Sequence, residues 1–111
     1  MSSAAIDPHT FDELQANAGA DFVAELVDTF AEEAPPLIEE MRAALAAGAA
    51  ERFRRAAHSL KSNSNTFGAM QLGAMARDLE LGGMIADAAP LDALDAEYAR
   101  VAAALKGLCN G

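Results

Sequence analysis

The sequence has no tryptophan, one tyrosine and five phenylalanines among its 111 residues. It has one cysteine, Cys109, so no internal disulfide can form and a reducing compartment fits. Runs rich in Val, Ile and Thr are missing and no period-two alternation persists, which argues against a sheet. No apolar stretch is long enough to cross a bilayer, and no cationic stretch leads into an apolar segment at the start. Basic residues are scarce. Eight Lys and Arg stand against seventeen Asp and Glu, giving a formal net charge of −9. That balance opposes nucleic-acid binding, which depends on neutralising phosphates, and opposes an anionic membrane surface. No GxxxxGK[ST] phosphate loop, Glu-x-x-His di-iron pair or Cys/His zinc cluster is present. The chemistry classes left are few, and a soluble cytoplasmic protein without nucleic acid, membrane or bound metal is expected.

What is present is helical. About half of the residues are apolar, many of them alanine and leucine, which lose little side-chain freedom in a helix. Residues 1–9 read as a tail and 10–111 as one domain. Thr10 and Glu13 have capping-box spacing at the start of a short helix that Gly19 would end. From Asp21 to Ala47 a long apolar stripe runs through Phe22, Val23, Leu26, Val27, Phe30, Ala34, Leu37, Ile38, Met41 and Leu45. The stripe keeps its phase across Pro35-Pro36, so one kinked helix is expected, with Asp21 as N-cap and Gly48 as terminator. Further helices are expected over 50–67, ending before Gly68, over 69–83, and over 91–108. The last would turn Leu94, Tyr98, Val101, Leu105 and Leu108 inward. Residues 82–90 read as a loop. Long amphipathic helices with short connections predict an all-α, antiparallel up-down four-helix bundle with a short extra N-terminal helix.

The third helix carries the one candidate reactive group. At about 100° per residue, Phe53, Ala56, Ala57, Ser64 and Phe67 cluster within about 60° of Leu60 and form the buried stripe. His58 falls about 160° away, so its imidazole should project from the middle of a rigid helix into solvent. Four of the eight cations, Arg52, Arg54, Arg55 and Lys61, lie within six residues of it. Cations stabilise a phosphoryl dianion by charge-assisted hydrogen bonds. Ser62, one turn on, is small enough to leave room for an incoming group. Asn65 lies on the same side, while Ser64 faces the core. His9, beside Pro8, lacks a comparable setting and reads as a surface residue.

The segment AAHSLKSNSNTFGA, residues 56–69, resembles the signature of histidine-containing phosphotransfer (HPt) domains. Their phosphorylated histidine is followed by a leucine, a lysine, small residues, an apolar residue and a glycine, matched here by His58, Leu60, Lys61, Ser62, Ser64, Phe67 and Gly68. ARDLE, residues 76–80, resembles the family's next helix, and DFVAELVDTFAEEAPPLIEEM, residues 21–41, its long second helix. One departure is Ser62, where the family often has glycine. The resemblance implies a phosphocarrier, not an autonomous enzyme. His58 would accept a phosphoryl group from a receiver-domain phosphoaspartate, or from a hybrid histidine kinase system, and pass it to another receiver. Lys61, with Arg54 and Arg55, would offset phosphate charge. The Mg²⁺ would belong to the partner receiver, and this chain would be a monomer binding no cofactor. The alternative is a helical interaction module that binds a receiver or kinase without being phosphorylated.

Overall fold

A computed structural model describes residues 5–110, and all regular structure in it is helical. The five helices are α1 (Pro8–Ala18), α2 (Ala20–Ala47), α3 (Ala50–Thr66), α4 (Met70–Leu81) and α5 (Ala89–Asn110). The packing closes on itself: α2 lies on α3, α3 on α4, α4 on α5 and α5 on α2, with α1 against α2. Phe11, Val23, Phe30, Ile38, Met41, Phe53, Leu60, Leu72, Leu91, Leu94, Val101 and Leu105 form the buried interior. Each such large side chain contributes about 1.5–3 kcal/mol on burial. Phe30 joins three helical segments. Its ring lies 5.3 Å from Phe67 and 5.8 Å, edge to face, from Tyr98.

The helix ends differ in detail from the sequence expectation. The cap of α1 is Asp7, whose carboxylate accepts from the Thr10 N–H at 3.1 Å and the Thr10 hydroxyl at 2.6 Å. Pro8 follows in the first turn, where its missing N–H costs nothing. Glu13 instead faces His9 one turn away, at 2.6 Å on the surface. The folded part therefore starts before Thr10, and Ile6 is buried, whereas residues 1–4 of the expected tail lie outside the described residues. Gly19, not Asp21, precedes α2, and Asp21 sits in its first turn. Gly48 ends α2 with φ +65°, a left-handed conformation that glycine adopts without strain. The fourth helix is shorter than expected and the fifth longer at both ends, because Ala88 carbonyl and Asp87 side-chain acceptors start α5 before Leu91.

Pro35 and Pro36 lie inside an unbroken α2. Each removes the donor that would serve the carbonyl four residues back. The carbonyl of Ala31 receives the Tyr98 hydroxyl instead, at 3.4 Å. Two expectations about the core fail: Phe22 and Leu108 are exposed, each near an end of its helix. Glu97, a charged residue on which the apolar pattern is silent, is buried between Leu94 and Val101. Arg42 of α2 holds the start of α5, reaching Asp92 at 2.9 Å and also Asp95.

Candidate functional site

The site is built by α3 and the end of α4. The expected inner stripe of α3 is buried: Phe53, Ala56, Ala57, Leu60, Ser64 and Phe67. That rotation leaves His58 on the outside, with 55% of its side chain exposed. The imidazole is nevertheless held. Its Nδ1 lies 2.8 Å from Glu80 Oε2, contributed by α4. Glu80 is itself only 9% exposed, and its other oxygen, Oε1, lies 2.9 Å from Lys61 Nζ in an ion pair off the angle of a hydrogen bond. One carboxylate thus spans the lysine and the histidine of one helical face.

This arrangement assigns the ring proton. The Lys61 ammonium, and then the His58 ring, hold the Glu80 carboxyl below the usual carboxylate range, so it is ionised at neutral pH. An ionised carboxylate only accepts. Nδ1 must therefore carry the hydrogen and donate it, which in the neutral ring leaves the lone pair on Nε2. Nε2 is the outward nitrogen of an exposed ring.

The cations around His58 are largely committed to acids. Arg52 makes two hydrogen bonds to Glu40 of α2, at 2.9 and 3.0 Å. Arg54 makes two to Glu51, at 3.0 and 2.6 Å, and Arg55 approaches the same carboxylate at 3.8 Å. Arg54, before all other groups, holds the Glu51 carboxyl down, and Arg52 does the same for Glu40. On the other side of His58 lies a groove against α2, whose lining includes Glu32, Glu33, Pro36 and Leu37. No ion pair forms at Glu32 or Glu33 among the described residues.

The structure brings together His58, Lys61 and Ser62, with Arg54 one turn before the histidine. Ser62 is exposed and its hydroxyl makes no hydrogen bond to the ring. Three residues of the motif serve the fold instead. Ser64 is fully buried and its hydroxyl donates to the Leu60 carbonyl at 2.7 Å. Asn65 packs over Gly73 of α4, where a Cβ would sit 2.1 Å from its Oδ1. Gly68 lies ten residues past His58, at φ +82°, with its carbonyl accepting the Asp7 N–H at 2.8 Å. His9 is 82% exposed, as expected of a surface residue. Glu80 was not foreseen as a site residue. Among the described residues no cluster of three or more His, Cys, Asp or Glu could hold a metal, and no helix is long and apolar enough to cross a membrane.

Residues 25–104 match the family described as Hpt domain. The chain is also similar to the crystal structure of histidine-containing phosphotransfer protein B (HptB) from Pseudomonas aeruginosa PAO1. The two share 26% identity with a TM-score of 0.84, over 98% of this chain and 97% of that one. No curated protein matches the sequence.

Proposed function

This chain belongs to the Hpt domain family, the histidine phosphotransfer proteins of two-component phosphorelays, and on that premise we propose that His58 is the residue that carries the phosphoryl group. The observation that carries this reading is the Glu80–His58 contact, which leaves Nε2 as the free nucleophile on an exposed ring. The partner is a response-regulator receiver domain, loaded in turn by a hybrid histidine kinase. The receiver supplies the phosphoaspartate and the Mg²⁺ that shields its charge, and this chain binds no cofactor of its own.

The chemistry asked of the chain is short. Nε2 attacks phosphorus in line as the bond to the aspartyl oxygen breaks, and the aspartate leaves as a carboxylate. The ring keeps its proton on Nδ1 and gains positive charge as the N–P bond forms. Glu80 faces that charge at 2.8 Å, so its carboxylate is better matched to the phosphorylated ring than to the neutral one. Lys61, ion-paired with the same carboxylate that holds the ring, keeps three ammonium hydrogens with which to meet the phosphoryl oxygens. Arg54 and Arg55 would reach that charge only by sharing or leaving Glu51. The reverse reaction with a second receiver follows the same path.

The architecture we favour is an antiparallel up-down four-helix bundle of α2–α5 with α1 added at its end. It is supported by the cross-pairs Glu40–Arg52 and Arg42–Asp92, which join the end of one helix to the start of another. A monomer in the cytoplasm fits a carrier that must meet two partners in turn.

The test is transfer from a phosphorylated receiver to wild type, His58→Gln and Glu80→Ala. Acid-labile, base-stable label should appear on wild type and vanish in His58→Gln. Glu80→Ala should keep the site but slow its loading roughly ten- to hundredfold, as expected for losing a hydrogen bond to a charged group worth about 1.5–3 kcal/mol in the transition state. Label of undiminished amount on His58→Gln would refute the assignment. Unlabelled wild type that still binds and regulates its receiver would favour a pure interaction module.

A further inference from the structure

The groove between α2 and α3 beside His58 differs from the rest of the site in its charge. On α3 each cation near the histidine already faces an acid: Arg54 and Arg55 face Glu51, Lys61 faces Glu80, and Arg52 faces Glu40. On the α2 side the exposed Glu32 and Glu33 have no such partner. The uncompensated charge lining this groove is therefore negative.

The backbone adds a second acceptor on α2. A helical carbonyl takes its hydrogen from the residue three or four positions on. For the Glu32 carbonyl these are Pro35 and Pro36, and neither has an N–H. Unlike Ala31, whose carbonyl receives the Tyr98 hydroxyl, Glu32 gets no side-chain donor among the described residues. Two carboxylates border a groove whose α2 wall is completed by Pro36 and the half-buried Leu37, with Ser59, Ser62 and Asn63 of α3 opposite beside His58.

We propose that this groove selects the receiver partner, taking a lysine or arginine of the receiver against Glu32 and Glu33 while an apolar side chain beside it packs on Pro36 and Leu37. The occupant follows from charge complementarity and from continuity with His58, and the inference rests on His58 being the phosphoacceptor. A receiver with acidic residues at that point of its docking face would be repelled, and like-charge juxtaposition suppresses wrong partners.

The experiment uses the receiver that loads wild type fastest in a panel of purified receivers. Loading of Glu32→Lys/Glu33→Lys is compared with that of Glu25→Lys/Asp28→Lys, which makes the same charge change on exposed positions of α2 away from the groove. The groove variant should lose about tenfold in kcat/KM at low salt with kcat within about twofold of wild type, because rim charges act on encounter. The difference should shrink below about threefold in 0.5 M salt, as screening shortens. The control variant should stay within about twofold throughout. Equal losses in the two variants, or none in either, would overturn the groove proposal and leave His58 standing. Absence of label on wild type with every receiver would overturn the His58 reading and the groove with it. A change in the mass of the unmixed chain on sedimentation of the groove variant would assign the groove to a second copy and overturn the receiver assignment.

Discussion

Replacing Gly73 with alanine should leave the stability of this chain nearly unchanged, whereas the same replacement should stabilise it once Asn65 is shortened to alanine. Two opposing terms meet at this position. Alanine gains about 0.8–1.0 kcal/mol over glycine in a helix interior, and Gly73 lies inside α4. Against this, the new Cβ would sit 2.1 Å from Asn65 Oδ1 and 3.0 Å from its Cγ. Ordinary contacts are roughly 3.5–4.0 Å, so the amide must swing away by more than ~1 Å. Asn65 is exposed and the clashing atoms end a rotatable side chain, so the swing costs ~0.5–1.5 kcal/mol as an off-rotamer shift. The single variant should thus lie within ~0.7 kcal/mol of wild type, while Gly73→Ala made on Asn65→Ala should gain ~1 kcal/mol. The coupling between the sites is then about 0.5–1.5 kcal/mol, above the ~0.3–0.5 expected of independent positions. Urea unfolding of the four proteins, followed by far-UV circular dichroism, measures it. Gly73→Ala effects of the same sign and size in both backgrounds would refute the reasoning.

Gly68→Ala should lose ~2–3 kcal/mol, because φ +82° is strained for alanine and the new Cβ would lie 2.9 Å from Thr10 Cβ and 3.0 Å from the Asp7 carbonyl oxygen. Wild-type stability in the variant, by the same urea assay, would count against a docked α1. Glu97 is buried and its Oε2 has no hydrogen-bond partner, Arg100 reaching only Oε1 at 3.1 Å. Glu97→Leu should therefore stabilise the fold by ~1 kcal/mol or more, as replacing a buried charge by an apolar group often does, and a clear loss of stability would contradict this. In acid, Asp7, Glu40, Glu51 and Glu80 are all held below their ordinary range, chiefly by Thr10, Arg52, Arg54 and Lys61 respectively. The unfolded chain then binds more protons, so this stability is present above the ordinary carboxylate range and is lost as pH falls through and below it. Urea midpoints should hold from pH 7 to about 5 and decline below it, less steeply in Glu40→Gln/Glu51→Gln.

Helical periodicity made the architecture legible, and it did so best where one face is buried along its whole length. On α3 the stripe through Phe53, Leu60 and Phe67 fixed the rotation of the helix, and with it the outward position of His58. Periodicity fails near helix ends, where an apolar residue of correct phase can stay exposed, as at Phe22 and Leu108. It also misses a buried charge such as Glu97, since a polar residue inside an apolar stripe reads as a break in the pattern. Cap chemistry was ambiguous for a different reason. Asp7-Pro8 and Thr10-x-x-Glu13 are both sound starts, and the Asp7 N–H to Gly68 carbonyl bond, a contact between distant parts of the chain, favours the first. The cations near His58 were legible by position only. Arg52, Arg54 and Arg55 look like a basic patch along the chain, but the acids that engage them, Glu40 and Glu51, lie across a groove or one turn away. Glu80 is the instructive case. It is 22 residues from His58, and no local pattern links them. Yet α3 and α4 meet at the Phe67–Ala69 turn, and residues equidistant from Ala69 in the sequence face each other across such a turn. Asn65 and Gly73 satisfy that relation, and so do His58 and Glu80. The acid that fixes the reactive nitrogen was therefore implied once the turn was placed, and a carboxylate in ARDLE at that distance was the signal to look for.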